Sequence, residues 1–172
     1  RSIPEKKRVI IFSPHPDDDV ISMGGTFDRL VEQGHEVHIA YQTSGNIAVS
    51  DEEALKFAEI AQSLNNNSSG TNEIIDFLSQ KKNNEIDTLE VQNLKALIRR
   101  SESYAATRYV GLEDEFVHFL DLPFYETGTV KKKNLSDEDV NLVANLIEEI
   151  KPHQIYAAGD LADPHGTHKV CL

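Results

Sequence analysis

The sequence changes character within one short stretch, which reads Arg8-Val9-Ile10-Ile11-Phe12-Ser13-Pro14-His15-Pro16-Asp17-Asp18-Asp19. Its first six residues are mostly apolar and β-branched and end at a proline, a pattern typical of a strand buried in a parallel sheet. A histidine and three carboxylates follow the strand directly. In open parallel sheets the ligand crevice lies beyond the carboxyl ends of the strands. We therefore expect a functional site where this first strand ends.

Strands and helices alternate along the rest of the chain. Period-two and apolar runs predict further strands over 36–42, 116–120 and 155–158. Apolar positions at three- and four-residue steps predict helices over about 18–33, 50–64 and 136–150, and a longer helix that ends near residue 108. Alternation of this kind implies right-handed crossovers. The predicted fold class is α/β, a Rossmann-like three-layer sandwich with a mostly parallel central sheet.

The length of 172 residues predicts a single domain over 1–172. Within it, 1–7 is interpreted as a linker and about 65–95 as an insertion or variable region. The chain begins at Arg1 instead of Met and stops four residues after His168, where a parallel fold would need a helix to cover the sheet. We therefore expect the chain to be part of a longer polypeptide, truncated at its C-terminus.

Charge and composition exclude several classes of function. The 17 basic and 29 acidic residues give a net charge of −12, which repels the phosphates of nucleic acids. The sequence has no apolar run long enough to cross a bilayer, so membrane insertion is not expected. The single cysteine, Cys171, cannot form an intramolecular disulfide, which favours a reducing, cytoplasmic location.

The loop after the first strand carries more negative charge than a helix start can compensate. Asp17, Asp18 and Asp19 repel one another, and a helix N-terminus supplies only about half a positive charge. A simple helix cap needs one acidic side chain, so capping alone does not explain the loop. His15 and Asp18 are three residues apart, a spacing that lets both side chains converge on one cation.

The loop after the last predicted strand adds two histidines, His165 and His168. A catalytic zinc ion typically takes three protein ligands of nitrogen and oxygen type and leaves a fourth position for water. His15, Asp18 and one of these two histidines would supply that set. The residues alone leave open which of the two histidines it is.

Several separated motifs agree with one known family. They are His15-Pro16-Asp17-Asp18 with Gly24-Gly25 in the following helix, Arg99 and Glu102 with Ala105, Ala106 and Val110-Gly111 after them, and His165-Gly166-Thr167-His168. Over roughly residues 8–172 the chain resembles the zinc-dependent de-N-acetylases of N-acetylglucosaminyl-phosphatidylinositol and of the mycothiol and bacillithiol pathways. This resemblance implies His15, Asp18 and His168 as the zinc ligands.

The chain departs from the family pattern in three places. Asp19 stands where the family usually has Glu, and the second motif lacks the usual Pro-Asp between its histidines. Ser44-Gly45-Asn46 follows the family's Thr-x-Gly-Glu segment only loosely. The departures leave the zinc ligands in place and bear on how a substrate is positioned.

The resemblance implies zinc-dependent hydrolysis of an N-acetyl group from an N-acetylglucosamine-type sugar conjugate or sugar phosphate, with release of acetate. Asp17, next to the ligands, is the expected general base, and a protonated His165 would stabilise the oxyanion. Arg99 is interpreted as orienting Asp17 or a substrate anion. Glu126, in the loop after the third strand, is expected to line the substrate pocket.

Two other functions are compatible with some of these residues. The pattern Asp17-x-Asp19 after a strand is also that of a haloacid-dehalogenase-like phosphatase, which would use Mg²⁺ and an aspartyl nucleophile. That alternative leaves the second histidine-rich loop without a role. A zinc-bound sugar-binding module without turnover is the other alternative, and the presence of Asp17 argues against it.

The segments 118–128 and 160–172 are similar to a de-N-acetylase-like domain at the C-terminal side of some bacterial glucosamine-6-phosphate deaminase-like proteins. We therefore expect fusion to an upstream sugar-phosphate deaminase-like domain, because deacetylation of an N-acetylglucosamine phosphate yields the substrate of such a deaminase. The expected partner is a small-molecule amino-sugar substrate. A homo-oligomer is compatible with the sequence, which does not decide the oligomeric state.

Overall fold

The computed structural model describes residues 5–65, 69–83, 85–129, 131–159, 162 and 164–172. In these residues four strands and seven α-helices follow one another as β1 (Arg8–Ser13), α1 (Asp18–Ile21), α2 (Gly24–Glu32), β2 (Glu36–Tyr41), α3 (Asp51–Asn65), α4 (Ser69–Gln80), α5 (Leu89–Val110), β3 (Val117–Phe119), α6 (Asp137–Ile150), β4 (Gln154–Ala157) and α7 (Thr167–Cys171). Short 3₁₀ turns cover Asn46–Ala48 and Asp114–Phe116. No helix among the described residues has the length and apolarity to cross a membrane.

The four strands form one parallel sheet in the order β3-β2-β1-β4. At the carboxyl end of β1, Ser13 pairs with Tyr41 of β2 and Phe12 pairs with Ala157 of β4. The loops that leave β1, β2 and β4 therefore emerge side by side at one edge of the sheet. The parallel α/β architecture confirms the predicted fold class.

Two apolar cores lie on opposite faces of the sheet, because successive side chains of a strand point to opposite sides. The core on the side of α2 and α5 includes Val9, Ile11, Phe27, Val37, Ile39 and Tyr41. The core on the side of α6 includes Ile10, Phe12, Ala40, Leu146 and Ile150. With helices on both faces, the chain forms the three layers predicted from its alternating pattern.

The predicted helix over about 18–33 is wrong as a single element. The structure divides it into α1 and α2, with a break at Ser22 and Met23. Two consecutive glycines, Gly24 and Gly25, follow the break, and glycine costs a helix about 1 kcal/mol relative to alanine. The predicted strands, by contrast, agree with the observed ones to within one residue at each end.

The segment predicted to be an insertion, about 65–95, folds mainly into α4 and the start of α5. These helices pack on α3 around a core of their own that includes Val49, Ala54, Leu78, Val91 and Ile98. The segment is thus a helical layer beside the sheet, and it places the first turns of α5 next to the loop after β2. Residues 66–68 and 84 of this segment, and residues 1–4 of the predicted linker, lie outside the described residues.

A network of two lysines and two aspartates joins this helical layer. Lys95 lies 2.6 Å from Asp51 and 2.7 Å from Asp87, and its side chain is only 6% exposed. Lys81 contacts the same two carboxylates at 2.8 and 2.5 Å. Each lysine is therefore neutralised by both aspartates, which is what allows a lysine to be buried.

The loop between β3 and α6 is fixed by one buried carboxylate, that of Asp139. Its Oδ1 accepts the Phe124 amide hydrogen at 2.9 Å, and its Oδ2 accepts from the amide and hydroxyl of Ser136 at 2.9 and 2.6 Å. Burial alone would raise the pKa of Asp139, but these hydrogen bonds hold the pKa below its usual value. The contact to Phe124 places the residues just before Glu126.

We predict that Asp139→Ala lowers the free energy of unfolding by about 1–3 kcal/mol, because it leaves buried donors unsatisfied. Asp137→Ala, an exposed position in the same helix turn, is the matched control and should change stability by less than about 0.5 kcal/mol. Because the folded-state pKa is depressed, the contribution of Asp139 is present above its unfolded pKa of about 3.9 and is lost as the pH falls through the folded value. Urea unfolding at pH 7 and at low pH measures both effects; equal stabilities of the two variants would contradict the assignment.

Candidate metal centre

The loop after β1 folds into a tight turn that separates its three carboxylates. The amides of Asp17 and Asp18 donate to the His15 carbonyl at 2.8 and 3.3 Å. Asp17 then extends toward Arg99, Asp18 toward His15, and Asp19 into the interior. Each of the three carboxylates points away from the others and has partners of its own. Their mutual repulsion is therefore reduced without one cation that all three share.

Three side chains meet at the carboxyl ends of β1 and β4. Asp18 Oδ2 lies 3.2 Å from His15 Nδ1 and 3.1 Å from His168 Nε2, and the two imidazole nitrogens are 3.2 Å apart. Among the described residues this is the group of metal-ligand side chains whose donor atoms converge. We call it the metal triangle.

The shape of the metal triangle fits a zinc ion. Two zinc bonds of about 2.0–2.1 Å that meet at a tetrahedral angle separate their ligand atoms by roughly 3.3–3.4 Å. The three observed separations of 3.1–3.2 Å come close to that value. Two imidazoles and one carboxylate are also a donor set of the type found in catalytic zinc sites, which keep a fourth position open.

The protonation state of Asp18 suits a ligand. Burial alone would raise its pKa, but hydrogen bonds from the side chain and amide of His15 and the nearby His168 hold the pKa below the usual value. The carboxylate is therefore ionised at neutral pH. Its backbone contact, in which the His15 amide donates to Asp18 Oδ2 at 2.9 Å, fixes the oxygen that belongs to the metal triangle.

The third corner of the metal triangle is placed by the short helix α7. Gly166 precedes this helix with φ of +73°, a left-handed conformation that favours glycine. On either side of His168, Lys132 Nζ donates to the His165 carbonyl and Gln42 Nε2 donates to the Cys171 carbonyl, both at 2.9 Å. These two contacts hold the segment against the loops that follow β2 and β3.

Of the two candidate histidines, the structure brings His168 into the metal triangle, while His165 lies exposed on the preceding loop. Asp17 stands beside the triangle with a side chain that is 43% exposed, and its Oδ2 accepts from Arg99 Nη2 at 2.9 Å. Arg99 also donates to Glu102 at 3.0 Å. The sequence interpretation of Arg99 as a partner of Asp17 thus has a direct contact in the structure.

Asp19 is held inside the fold. Its Oδ2 accepts from the Tyr41 hydroxyl at 2.8 Å, while its amide donates to Ser13 Oγ at 2.9 Å. Burial raises the pKa of Asp19 above its usual value. The phosphatase alternative needs Asp17 and Asp19 to face the same ion, and the geometry does not support it. The capping alternative is wrong as well, since the Asp17 side chain makes no capping hydrogen bond.

Glu126 belongs to a cluster beside the metal triangle. It accepts hydrogen bonds from the amide and hydroxyl of Ser44 at 2.9 and 2.8 Å, and from Asn46 Nδ2 at 3.3 Å. Burial raises the pKa of Glu126, yet all three contacts are donated to it, as a carboxylate requires. Gly45, between Ser44 and Asn46, packs so closely on Pro16 that a Cβ at this position would lie 2.8 Å from the proline ring.

A cavity of about 380 Å³ opens next to Glu126. We call it the arginine cavity, and the lining residues on which the argument depends are Asn46, Gln92, Arg100, Asp121 and Glu126. Arg100 forms an ion pair with Asp121 across its wall. Glu126 lies in the lining of this cavity, and its role toward a substrate stays a prediction.

The remaining histidines have structural contacts. His35 Nδ1 and His153 Nδ1 accept backbone amide hydrogens at 3.2 and 3.1 Å, and His38 lies 3.0 Å from His118 on the neighbouring strand. Burial raises the pKa of the Cys171 thiol to about 12.

Sequence reasoning missed several residues that shape the site. Tyr125 packs the edge of its ring on His15, with centroids 5.7 Å apart, and Lys132 lies over the Tyr125 ring at 5.5 Å. Ser44 and Asn46 were treated only as a departure from a family motif. Their place directly after β2, at the edge where β1 also ends, was the signal available.

One family of known proteins matches most of the chain. The model of the PIG-L family, described as GlcNAc-PI de-N-acetylase, matches residues 10–172. The chain therefore belongs to the PIG-L family of de-N-acetylases. The matched region contains all three members of the metal triangle.

Two individual proteins are similar in sequence to this chain. It is 56% identical over 180 aligned residues to a putative glucosamine-6-phosphate deaminase-like protein of Bacteroides thetaiotaomicron, covering 99% of this chain but 27% of that protein. A segment of 47 residues is 38% identical to the diacetylchitobiose deacetylase of Thermococcus kodakarensis, covering 27% of this chain and 18% of that enzyme. The chain thus spans about a quarter or less of these relatives.

A solved structure shares the fold. It is the N,N'-diacetylchitobiose deacetylase from Pyrococcus horikoshii, determined in complex with an inhibitor. It matches 97% of this chain and 47% of its own length, with a TM-score of 0.60 and 21% identity. At this identity the likeness speaks for the architecture alone.

We predict that His168→Ala loses most of the zinc that the chain binds, because two remaining ligands hold the ion poorly. His165→Ala, three residues away and outside the metal triangle, is the matched control and should retain zinc. Metal content after dialysis and the zinc dissociation constant measure the difference. If His165→Ala releases zinc and His168→Ala keeps it, the two histidines have been assigned the wrong way round.

Proposed function

We propose that this chain is a zinc-dependent de-N-acetylase that hydrolyses the N-acetyl group of an N-acetylglucosamine-type sugar and releases acetate. The observation that carries the proposal is the metal triangle with Asp17 standing beside it, ion-paired but accessible. Family membership and the deacetylase names of two of the matched proteins support the same reaction.

The metal triangle defines the place of the reaction. His15 Nδ1, Asp18 Oδ2 and His168 Nε2 would hold the ion. When bound, zinc supplies a Lewis acid for the acetyl carbonyl and lowers the pKa of water at its open position toward neutrality. The buried, ionised Asp18 balances part of the ion's charge, and the Tyr125 ring shields His15 on one side.

Asp17 moves the proton. Its carboxylate accepts a proton from the attacking water and later gives it to the departing nitrogen, so that water and amide become acetate and an amine. The guanidinium of Arg99 holds Oδ2 at 2.9 Å and leaves the rest of the carboxylate exposed to substrate. Arg99 therefore acts as a positioning residue for the base.

His165 and Glu126 are the two other residues with a proposed role in the reaction. His165 lies on the loop that leads into α7, and in its protonated form it would stabilise the negative charge that develops on the acetyl oxygen. Glu126 is held by Ser44 and Asn46 in the lining of the arginine cavity, where it would accept hydrogen bonds from sugar hydroxyls. Both roles are part of the proposal.

The longer polypeptide and the cellular location in which the reaction takes place are also part of the proposal. Since the Bacteroides relative is much longer than this chain, we propose that the domain works within a polypeptide that also carries a sugar-phosphate deaminase-like part. A cytoplasmic location is proposed from the single cysteine.

We predict that Asp17→Asn keeps zinc but lowers turnover by roughly 100- to 10,000-fold, the usual contribution of a positioned general base. Asp28→Asn, an exposed residue of α2, is the matched control and should leave turnover unchanged. Acetate release from N,N'-diacetylchitobiose and metal content are measured on each zinc-loaded protein.

Full activity of Asp17→Asn would remove this residue from the mechanism. If the wild-type chain binds zinc and an N-acetylated sugar but releases no acetate in single-turnover assays, the zinc-bound sugar-binding module is the correct description.

A further inference from the structure

Four polar side chains form one buried network that joins the loop after β1, the end of β2 and α5. They are Ser13, Asp19, Tyr41 and Ser103, and each is at most 2% exposed. Burying polar groups costs free energy unless they find hydrogen-bond partners. We call these four residues the buried network, and none of them has a role in the reaction proposed above.

One end of the buried network closes the turn that carries two corners of the metal triangle. The Ser13 hydroxyl donates to the His15 carbonyl at 2.6 Å and accepts the amide hydrogen of Asp19 at 2.9 Å. These two contacts join residues before and after Asp18 to the last residue of β1. The positions of His15 and Asp18 therefore depend on Ser13 and on what holds Asp19.

Tyr41 is the fixed point of the buried network. It ends β2, pairs with Ser13 in the sheet and stacks its ring on Phe119 of β3, with centroids 5.1 Å apart. Its hydroxyl donates to Asp19 Oδ2 at 2.8 Å, and Asp19 Oδ1 lies 3.4 Å from Ser13 Oγ. Because the ring is held by the sheet and by the stacking contact, its hydroxyl gives the Asp19 carboxylate a rigid anchor.

The other end of the buried network reaches α5. Burial raises the pKa of the Tyr41 hydroxyl, Asp19 raises it further, and a hydrogen bond with Ser103 lowers it. Ser103 also donates to the Arg99 carbonyl at 3.1 Å, and the Arg99 guanidinium contacts Asp17 at 2.9 Å. The loop after β1 is thus tied to α5 at two points, outside through Arg99 and inside through Tyr41 and Ser103.

The turn over residues 15–19 carries both the metal ligands and the proposed base. His15 and Asp18 belong to the metal triangle, and Asp17 lies between them in the chain. Residues behind the ligands of a metal site typically change metal affinity or activity by about 10- to 100-fold when they are mutated. Tyr41 donates its only hydroxyl hydrogen to Asp19, so it acts on the metal triangle and on the base through this turn.

We propose that Tyr41 is a positioning residue of the reaction: by anchoring Asp19, it sets the turn over residues 15–19 and so the register between the metal triangle and Asp17. This inference rests on the proposed function. In this role Asp19 serves as a hydrogen-bond acceptor of fixed position, and its geometry matters more than its charge.

Tyr41→Phe is the first test, because it removes the hydroxyl and keeps the ring. Tyr104→Phe is the matched control, since Tyr104 packs on the same Phe119 ring and lies outside the buried network. We expect Tyr41→Phe to raise the zinc dissociation constant about tenfold and, at saturating zinc, to lower kcat for N,N'-diacetylchitobiose about tenfold, with KM changed less than about twofold. The control should change each value less than about twofold.

All values are compared at a temperature at which circular dichroism shows each zinc-free protein to be fully folded. A loss of stability alone would not move the zinc dissociation constant or separate kcat from KM under these conditions. Unchanged zinc affinity in Tyr41→Phe, or an equal change in Tyr104→Phe, overturns the inference.

Two variants of Asp19 separate position from charge. Asp19→Asn keeps an oxygen that accepts from Tyr41 but removes the charge, whereas Asp19→Ala removes both. We expect Asp19→Asn to keep the zinc dissociation constant within about threefold, and Asp19→Ala to raise it at least about tenfold. Equal losses in the two variants would mean that the charge of Asp19 acts on the ion, and would overturn the positioning role.

The two proposals fail in different ways. A wild-type chain that binds zinc but releases no acetate from the disaccharide overturns the proposed function, while the zinc affinities of the variants still decide whether the buried network positions the metal triangle. A wild-type chain that binds no zinc overturns both.

Discussion

The position of β1 between two parallel neighbours is the constraint on which the rest of the structure depends. Because β2 and β4 both run in the direction of β1, the three strands deliver their following loops to one edge of the sheet. His15 and Asp18 come from the first of these loops, and His168 comes from the helix that follows the last. A sheet with β4 reversed would carry the last histidines to the opposite edge. The parallel direction of these strands is therefore what makes a metal triangle from distant residues.

The charged side chains at the site form separate groups, each with its own partners. The three consecutive aspartates use one partner set each: the guanidinium of Arg99 for Asp17, two imidazoles for Asp18, and the Tyr41 hydroxyl for Asp19. Arg100, Lys81 and Lys95 likewise form ion pairs with carboxylates of their own. The positive charge of these described residues is thus largely paired within the protein.

Short-range patterns and strand order predicted the layers, the strands and two members of the metal triangle, His15 and Asp18, whereas His168 was assigned only by the resemblance to a family. Those patterns could not choose between His165 and His168, since that choice depends on the left-handed turn at Gly166 and on where α7 begins. The break between α1 and α2 was missed because apolar periodicity continues across Gly24 and Gly25. The hydrogen bond from Ser44 to Glu126 and the ion pair between Arg100 and Asp121 link residues about 20 to 80 positions apart, and no local pattern encodes such contacts.

The way in which the third corner of the metal triangle is held has a consequence for ion exchange. Two corners lie on the loop that follows the central strand, but His168 is tied to the fold through Gln42 and Lys132, which donate to backbone carbonyls on either side of it. Contacts of this kind open at a lower free energy than the pairing of a core strand. We therefore expect the exchange of an ion held by the triangle to depend on these two contacts, because each opening would withdraw one of three ligands.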